Sequence, residues 1–95
     1  MDKPCEVYAS KRFERQLNKL PRYIQSSIQA WVASVEEEGV RKVRLLKGYH
    51  DEPLRGKRRG ERSVRLSRAY RLFYTEDEHE SFLIIRILEV NKHDY

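Results

Sequence analysis

The chain is poor in cysteine, has no long apolar run, and carries few acids across about a third of its length. Cys5 is its only cysteine, which excludes a disulfide framework and a cysteine-based zinc site and fits a reducing, intracellular setting. No stretch reaches the roughly 20 apolar residues needed to cross a bilayer, and the N-terminus lacks the apolar core of a secretory signal. The expectation is a soluble, cytoplasmic protein without a membrane partner. There is no internal repeat. The 95 residues leave room for a single domain, residues 1–95, and a chain of this size buries only a modest fraction of its surface. Its apolar share of 39% suffices for one thin core, and six tyrosines argue against disorder.

The scarcity of acids is local. Between Arg41 and Arg71 stand twelve Lys and Arg against Asp51, Glu52 and Glu61, a balance of +9. Residues 1–40 carry six of each sign, and residues 72–95 carry two bases against six acids. The overall +5 therefore hides one concentrated basic segment. Such a field attracts a polyanion, and neutralising phosphates releases counterions. The segment is expected to face a nucleic acid.

Cys5 to Ala9 reads as a short strand with Val7 inward and Tyr8 on the other face. Ser10 can cap a helix carrying Phe13, Leu17 and Leu20 at helical spacing. Pro21 breaks it and suits the first helical position of the next. There Ile24, Ile28, Trp31, Val32 and Val35 form one stripe, with Trp31 in the core, and Gly39 ends it. Glu36, Glu37 and Glu38 at its C-terminal end read as a solvated face. Residues 40–47 fit either a short helix or an extended arm. Gly48, Pro53, Gly56 and Gly60 make the next stretch loop.

Ser63 to Ser67 alternates as a strand, with a turn or bend at Arg68-Ala69. Tyr70 to Tyr74 alternates again, Glu76 to His79 reads as a polar hairpin turn, and Phe82 to Leu88 suits a central strand. Arg86 within that strand reads either as a buried ion-pair partner, the reading preferred here, or as part of the active face, and His79 reads as a solvated turn residue. The fold class is α+β in the order β-α-α-β-β-β. Two N-terminal helices pack on one face of a small, largely antiparallel sheet. The other face, with Arg65, Arg71 and the C-terminal residues, makes a groove suited to RNA.

Cleaving RNA without a metal needs a base for the 2′-hydroxyl proton, a cation for the charge developing on phosphorus, and an acid for the leaving 5′-oxygen. Near the basic segment the side chains able to move protons are His50, Glu52 and His93, with Tyr95 close to the last. A histidine donates well near neutral pH. Glu52 precedes Pro53, which biases its backbone to an extended form and sets its carboxylate among Arg55, Lys57 and Arg71. On residue types alone, an acid among arginines is more often a salt-bridge anchor, and a terminal His-Asp-Tyr more often a solvated tail. His50-Asp51-Glu52 is no metal cluster, because adjacent loop residues rarely converge on one ion. No metal and no cofactor are expected.

The stretch Asp51-Glu52-Pro53-Leu54-Arg55-Gly56, then Tyr70-Arg71-Leu72-Phe73-Tyr74, then His93-Asp94-Tyr95 resembles the RelE/ParE superfamily of bacterial toxins, most closely its RelE and YoeB-like RNase branches. The strand–helix–helix order agrees, so the resemblance covers nearly the whole chain. It implies a ribosome-dependent mRNA endonuclease of a type II toxin–antitoxin system, neutralised by a cognate antitoxin protein. Its partners would be mRNA and the ribosome, with DNA reached only indirectly through the antitoxin. On the matching positions Glu52 takes the general base's place, Arg71 the phosphate-stabilising place, His93 the general acid's place, and Tyr95 that of the aromatic that orients substrate. In the YoeB-like pattern His and Tyr are adjacent, whereas here Asp94 separates them. His93 is preferred as the acid because an ionised Asp is a poor donor at neutral pH. Arg55 and Arg65 fall where the family often carries supporting cations. Lys57, Arg58, Arg59, Arg68 and Lys92 complete the expected RNA-binding set. Two alternatives stay open: a ParE-like inhibitor of DNA gyrase on the same fold, and a non-catalytic RNA- or ribosome-binding module.

Overall fold

Ser10 ends one element and starts the next. It follows strand β1 (Cys5–Ala9) with an extended backbone, and its Oγ accepts from the Phe13 amide at 3.0 Å to open helix α1 (Lys11–Leu17). The same hydroxyl donates to the Leu88 carbonyl at 2.6 Å, tying the cap to the last strand. Past α1, the Gln25 side chain donates to the Leu17 and Leu20 carbonyls at 3.0 and 2.9 Å, adding to the Leu20 amide that Leu17 already accepts at 3.3 Å where the helix ends. Pro21 is the N-cap of helix α2 (Arg22–Glu38), one position earlier than the spacing predicts. The α2 stripe of Ile24, Ile28, Trp31 and Val35 is buried, while Glu36, Glu37 and Glu38 are exposed, as expected of a solvated face. Gly39 stops the helix at φ 92°, a backbone that favours glycine.

The computed structural model describes residues 3–92. After α2 come a four-residue helix α3 (Val40–Val43) and strands β2 (Glu52–Pro53), β3 (Arg62–Arg65), β4 (Tyr70–Glu78) and β5 (Leu83–Lys92), with single 3₁₀ turns at Lys47–Tyr49 and Gly56–Arg58. The strands form one sheet in the order β1-β5-β4-β3-β2. Every pairing is antiparallel except β1 with β5, which is parallel. This is the α+β architecture the pattern predicts, with β5 inside the sheet, enlarged by α3 and the two-residue β2.

The buried stripe of α2 packs with Phe13 of α1, Val40 and Val43 of α3, and Val64, Leu72, Tyr74, Ile85, Ile87 and Val90 of the sheet into one core. The Trp31 and Tyr74 rings sit 5.2 Å apart at its centre. Strand β1 pairs only with residues 83–87 of β5, so the edge of β5 beyond them would lie bare. Helix α1 covers it, and Gln16 Oε1 accepts the Val90 amide at 2.8 Å.

Two expectations need correction. The hairpin turn lies at 79–82, closed by the His79 amide on the Phe82 carbonyl at 2.9 Å, so Glu76 and Glu78 are strand residues. Cations make that acidic strand end tolerable: Arg41 meets both glutamates, Arg44 meets Glu76, and Lys3 meets Glu78. Arg86 is not buried in an ion pair. It is exposed, and it has no ion-pair partner among the described residues, because its register opposite Thr75 and Tyr8 turns it away from the helices.

Candidate functional site

The sheet face turned away from the helices is organised by cross-strand register. Glu52 of β2 stands opposite Ser63 of β3, Ser63 opposite Phe73 of β4, and Phe73 opposite Glu89 of β5. One row along, Arg65 stands opposite Arg71, and Arg71 opposite Asn91. Residues directly opposite share a face, so the Glu-Pro dipeptide, the strand arginines and the end of β5 converge although they are far apart in sequence.

At the centre Arg71 Nη1 donates to Glu52 Oε1 at 3.2 Å and lies 3.4 Å from the fully buried Ser63 hydroxyl. The other carboxylate oxygen of Glu52 lies 3.4 Å from His50 Nε2. Glu52 is therefore held between a guanidinium and an imidazole, and its side chain is still 44% exposed. His50 adopts φ 43° without being glycine, a left-handed backbone that costs free energy and clusters at functional sites. Its neighbour differs sharply. The Asp51 side chain is 1% exposed and accepts from Arg62 Nε at 2.6 Å and from the Tyr74 hydroxyl at 2.5 Å. Burial, then the Asp51 carboxylate, raises the Tyr74 hydroxyl above its ordinary value of 10.0, against the opposing pull of Arg44.

The basic loop folds back over the same face. Arg58 lies 4.2 Å from the Phe73 ring centroid and donates to Glu61 at 2.8 Å and to Glu89 at 3.2 Å. Arg12 of α1 approaches Glu89 from the other side at 3.9 Å. Glu89, 7% exposed, is thus the counter-ion that pins the loop and α1 to the sheet.

Of the residues expected from sequence, Glu52 and Arg71 are in contact, and Arg65 stands beside Arg71. Arg55, Lys57 and Arg59 are exposed on the loop, Arg68 is exposed in the bend after β3, and Lys92 is exposed at the end of β5 opposite Tyr70. Arg58 is half-buried and committed to intramolecular acids and to Phe73, so it differs from the free phosphate ligand expected. His93 and Tyr95 lie outside the described residues. Sequence reasoning did not foresee the His50–Glu52 approach, Ser63 under Arg71, or the buried acids Asp51 and Glu89. The position of Ser63 was readable from strand alternation, since it shares the parity of Arg65. The remaining three follow from how the loop folds, which periodicity does not report. No group of three His, Cys, Asp or Glu among the described residues could hold a metal ion, and no helix among them is long and apolar enough to cross a membrane.

Residues 7–93 match the family model described as the ParE toxin of the type II toxin-antitoxin system, parDE. No curated protein sequence matches. Among solved structures, the chain is similar to a YoeB/ParE toxin from Agrobacterium tumefaciens, with TM-score 0.72 at 12% identity, covering 94% of this chain and 99% of that one. It is similar to YafQ from E. coli strain BL21(DE3), with TM-score 0.71 at 13% identity, covering 92% and 91%. It is also similar to the YoeB-YefM complex from Staphylococcus aureus, with TM-score 0.68 at 19% identity, covering 95% and 98%. At these identities the likeness is one of fold.

Proposed function

The chain belongs to the ParE toxin family of type II toxin–antitoxin systems, and from that premise we propose that it acts as an endoribonuclease cleaving messenger RNA on the ribosome. The observation that carries this reading is the exposed Glu52 carboxylate held 3.2 Å from Arg71 on a basic sheet face. An inhibitor that works by surface contact alone has no need of a proton acceptor beside a phosphate ligand.

In this reading the Glu52 carboxylate takes the proton of the 2′-hydroxyl, and the 2′-oxygen forms a bond to phosphorus as the bond to the 5′-oxygen breaks. Arg71 has five N–H groups, and among the described residues only Nη1 is engaged, by Glu52 and Ser63, which leaves the others for the phosphate charge. His93 gives its proton to the leaving 5′-oxygen, and Tyr95 orients the substrate. The products are a 2′,3′-cyclic phosphate and a 5′-hydroxyl. β5 sets Asn91 directly opposite Arg71, two residues before His93 in sequence, which supports this assignment.

The partner that restrains the enzyme is proposed to be its cognate antitoxin, through an acidic segment that folds onto the basic face between Arg55 and Arg71. Related structures include a YoeB-YefM complex and a DinJ-YafQ toxin-antitoxin complex. Primer extension on a translated message after induction tests the reading. Wild type produces new 5′ ends within the message. Glu52→Gln, Arg71→Ala and His93→Ala each lower their yield by about 10² to 10⁴-fold. An intact message under wild-type induction overturns the proposal.

A second reading, inhibition of DNA gyrase, is favoured by the family's ParE description. It is separated by what fails first after induction: translation in the nuclease reading, DNA integrity in the other.

A further inference from the structure

A cavity of about 310 Å³ opens between the Lys47–Tyr49 turn and the end of β3, lined by Leu46, Gly48, Tyr49, Arg65 and Leu66. We propose that it receives a nucleobase of the RNA strand, adjacent to the phosphate held at Arg71; this rests on the nuclease reading above and gives that site its means of choosing where to cut.

Three observations lead there. First, the apolar lining is open to solvent. Leu46 is 51% exposed and Leu66 half-buried, so two leucine side chains of the lining are left in reach of a ligand, and apolar surface gathered at a cavity marks a binding surface. Second, Arg65 lines the cavity and stands directly opposite Arg71, with Cα atoms about 4.5–5.5 Å apart as in any antiparallel pair. Like charges in that position destabilise a sheet. Arg71 has Glu52 to offset the repulsion, while Arg65 has no ion-pair partner among the described residues.

Third, two adjacent guanidiniums beside an apolar, tyrosine-containing cavity match a strand that alternates phosphates with flat apolar rings. Single-stranded RNA is read in that way, by bases splayed onto aromatic and apolar side chains. An apolar protein segment would fill the cavity and leave Arg65 unanswered.

The experiment reads base burial separately from cleavage. RNA oligonucleotides with 2′-O-methyl groups, which cannot supply the attacking hydroxyl, carry the fluorescent base 2-aminopurine at one position at a time. Wild type quenches emission at a single position. Leu46→Asp places a charge at the cavity mouth. Gly48→Leu adds bulk at a wall where an added Cβ meets nothing within 4 Å. Both variants keep the wild-type melting temperature, abolish the quench at that position and weaken binding by roughly tenfold.

Quenching at no position, or quenching unchanged in both variants while the oligonucleotide still binds, overturns the cavity assignment and leaves the nuclease reading in place. An oligonucleotide that does not bind wild type at all overturns the RNA reading and the cavity with it.

Discussion

Asp51 sends its carboxylate inward to Arg62 and Tyr74, while Glu52 leaves its own half-exposed against Arg71 and His50. Removing one member of a buried, hydrogen-bonded set strands the others. Asp51→Ala is therefore expected to cost about 3 kcal/mol in urea unfolding, whereas Glu52→Ala costs under about 1 kcal/mol because its pair is solvent-screened. Equal losses at the two positions would sink this division of labour. Tyr74 adds a pH signature. Its hydroxyl is raised above 10.0 in the fold, so the unfolded chain loses that proton first as the solution becomes alkaline. The stabilisation is complete below pH 10 and is lost as pH rises from there through the higher folded value. Tyrosinate absorbance should show one phenol that ionises only with unfolding, and Tyr74→Phe should remove it. From sequence, an acid among arginines reads as a salt-bridge anchor: Glu52 does pair with Arg71, and its neighbour Asp51, held by Arg62, is the more deeply buried anchor. Adjacent residues share their local signals, and only the fold around Tyr74 separates them.

At the scale of elements, the legible parts are those with strong local period or punctuation. The Ser10 cap, the α2 stripe and its Gly39 stop are all present as the pattern indicates. Glu76 and Glu78 read as a turn because acids are poor strand formers; they extend β4 because cations from α3, the residue after it and the N-terminus meet them, a long-range fact. The parallel docking of β1 on β5 is equally non-local. Helix α3 depends on the same contacts, since four residues cannot sustain a helix alone. Arg44, just beyond α3, is held by Glu76 and the Tyr74 hydroxyl, and Arg41 by Glu76 and Glu78. Glu76→Gln should release this clamp at a cost of about 2 kcal/mol. Amide exchange at Val43 to Leu46, whose N–H groups bond to residues 39–43, then accelerates by roughly tenfold or more while the amides of α2 keep their protection. Equal acceleration in α2 would mean that α3 is not a separately tethered element.

Taken over the whole molecule, formal charge overstates what the basic segment can offer a ligand. Of the twelve cations between Arg41 and Arg71, five (Arg41, Arg44, Arg58, Arg62 and Arg71) are engaged by acids among the described residues. The seven that remain include Arg55, Lys57, Arg59, Arg65 and Arg68, all exposed on the loop, the bend or the edge of the open face. Sequence shows where the charge is concentrated and cannot show which members are neutralised, because most of their acids reach them only through the fold, from β2, β4, β5 and the loop residue Asp51. The difference is measurable. For single-stranded RNA the affinity falls with salt by a slope of about −0.7 per phosphate neutralised. Arg55→Ala, Arg59→Ala and Arg65→Ala should each reduce that slope by about 0.7 in a titration of salt against a non-cleavable RNA. Arg62→Ala should leave the slope unchanged and lower the melting temperature instead, since its guanidinium belongs to Asp51. A slope that falls equally for Arg62 and Arg59 would show that RNA draws the internal ion pairs apart, and that the whole basic segment binds as one.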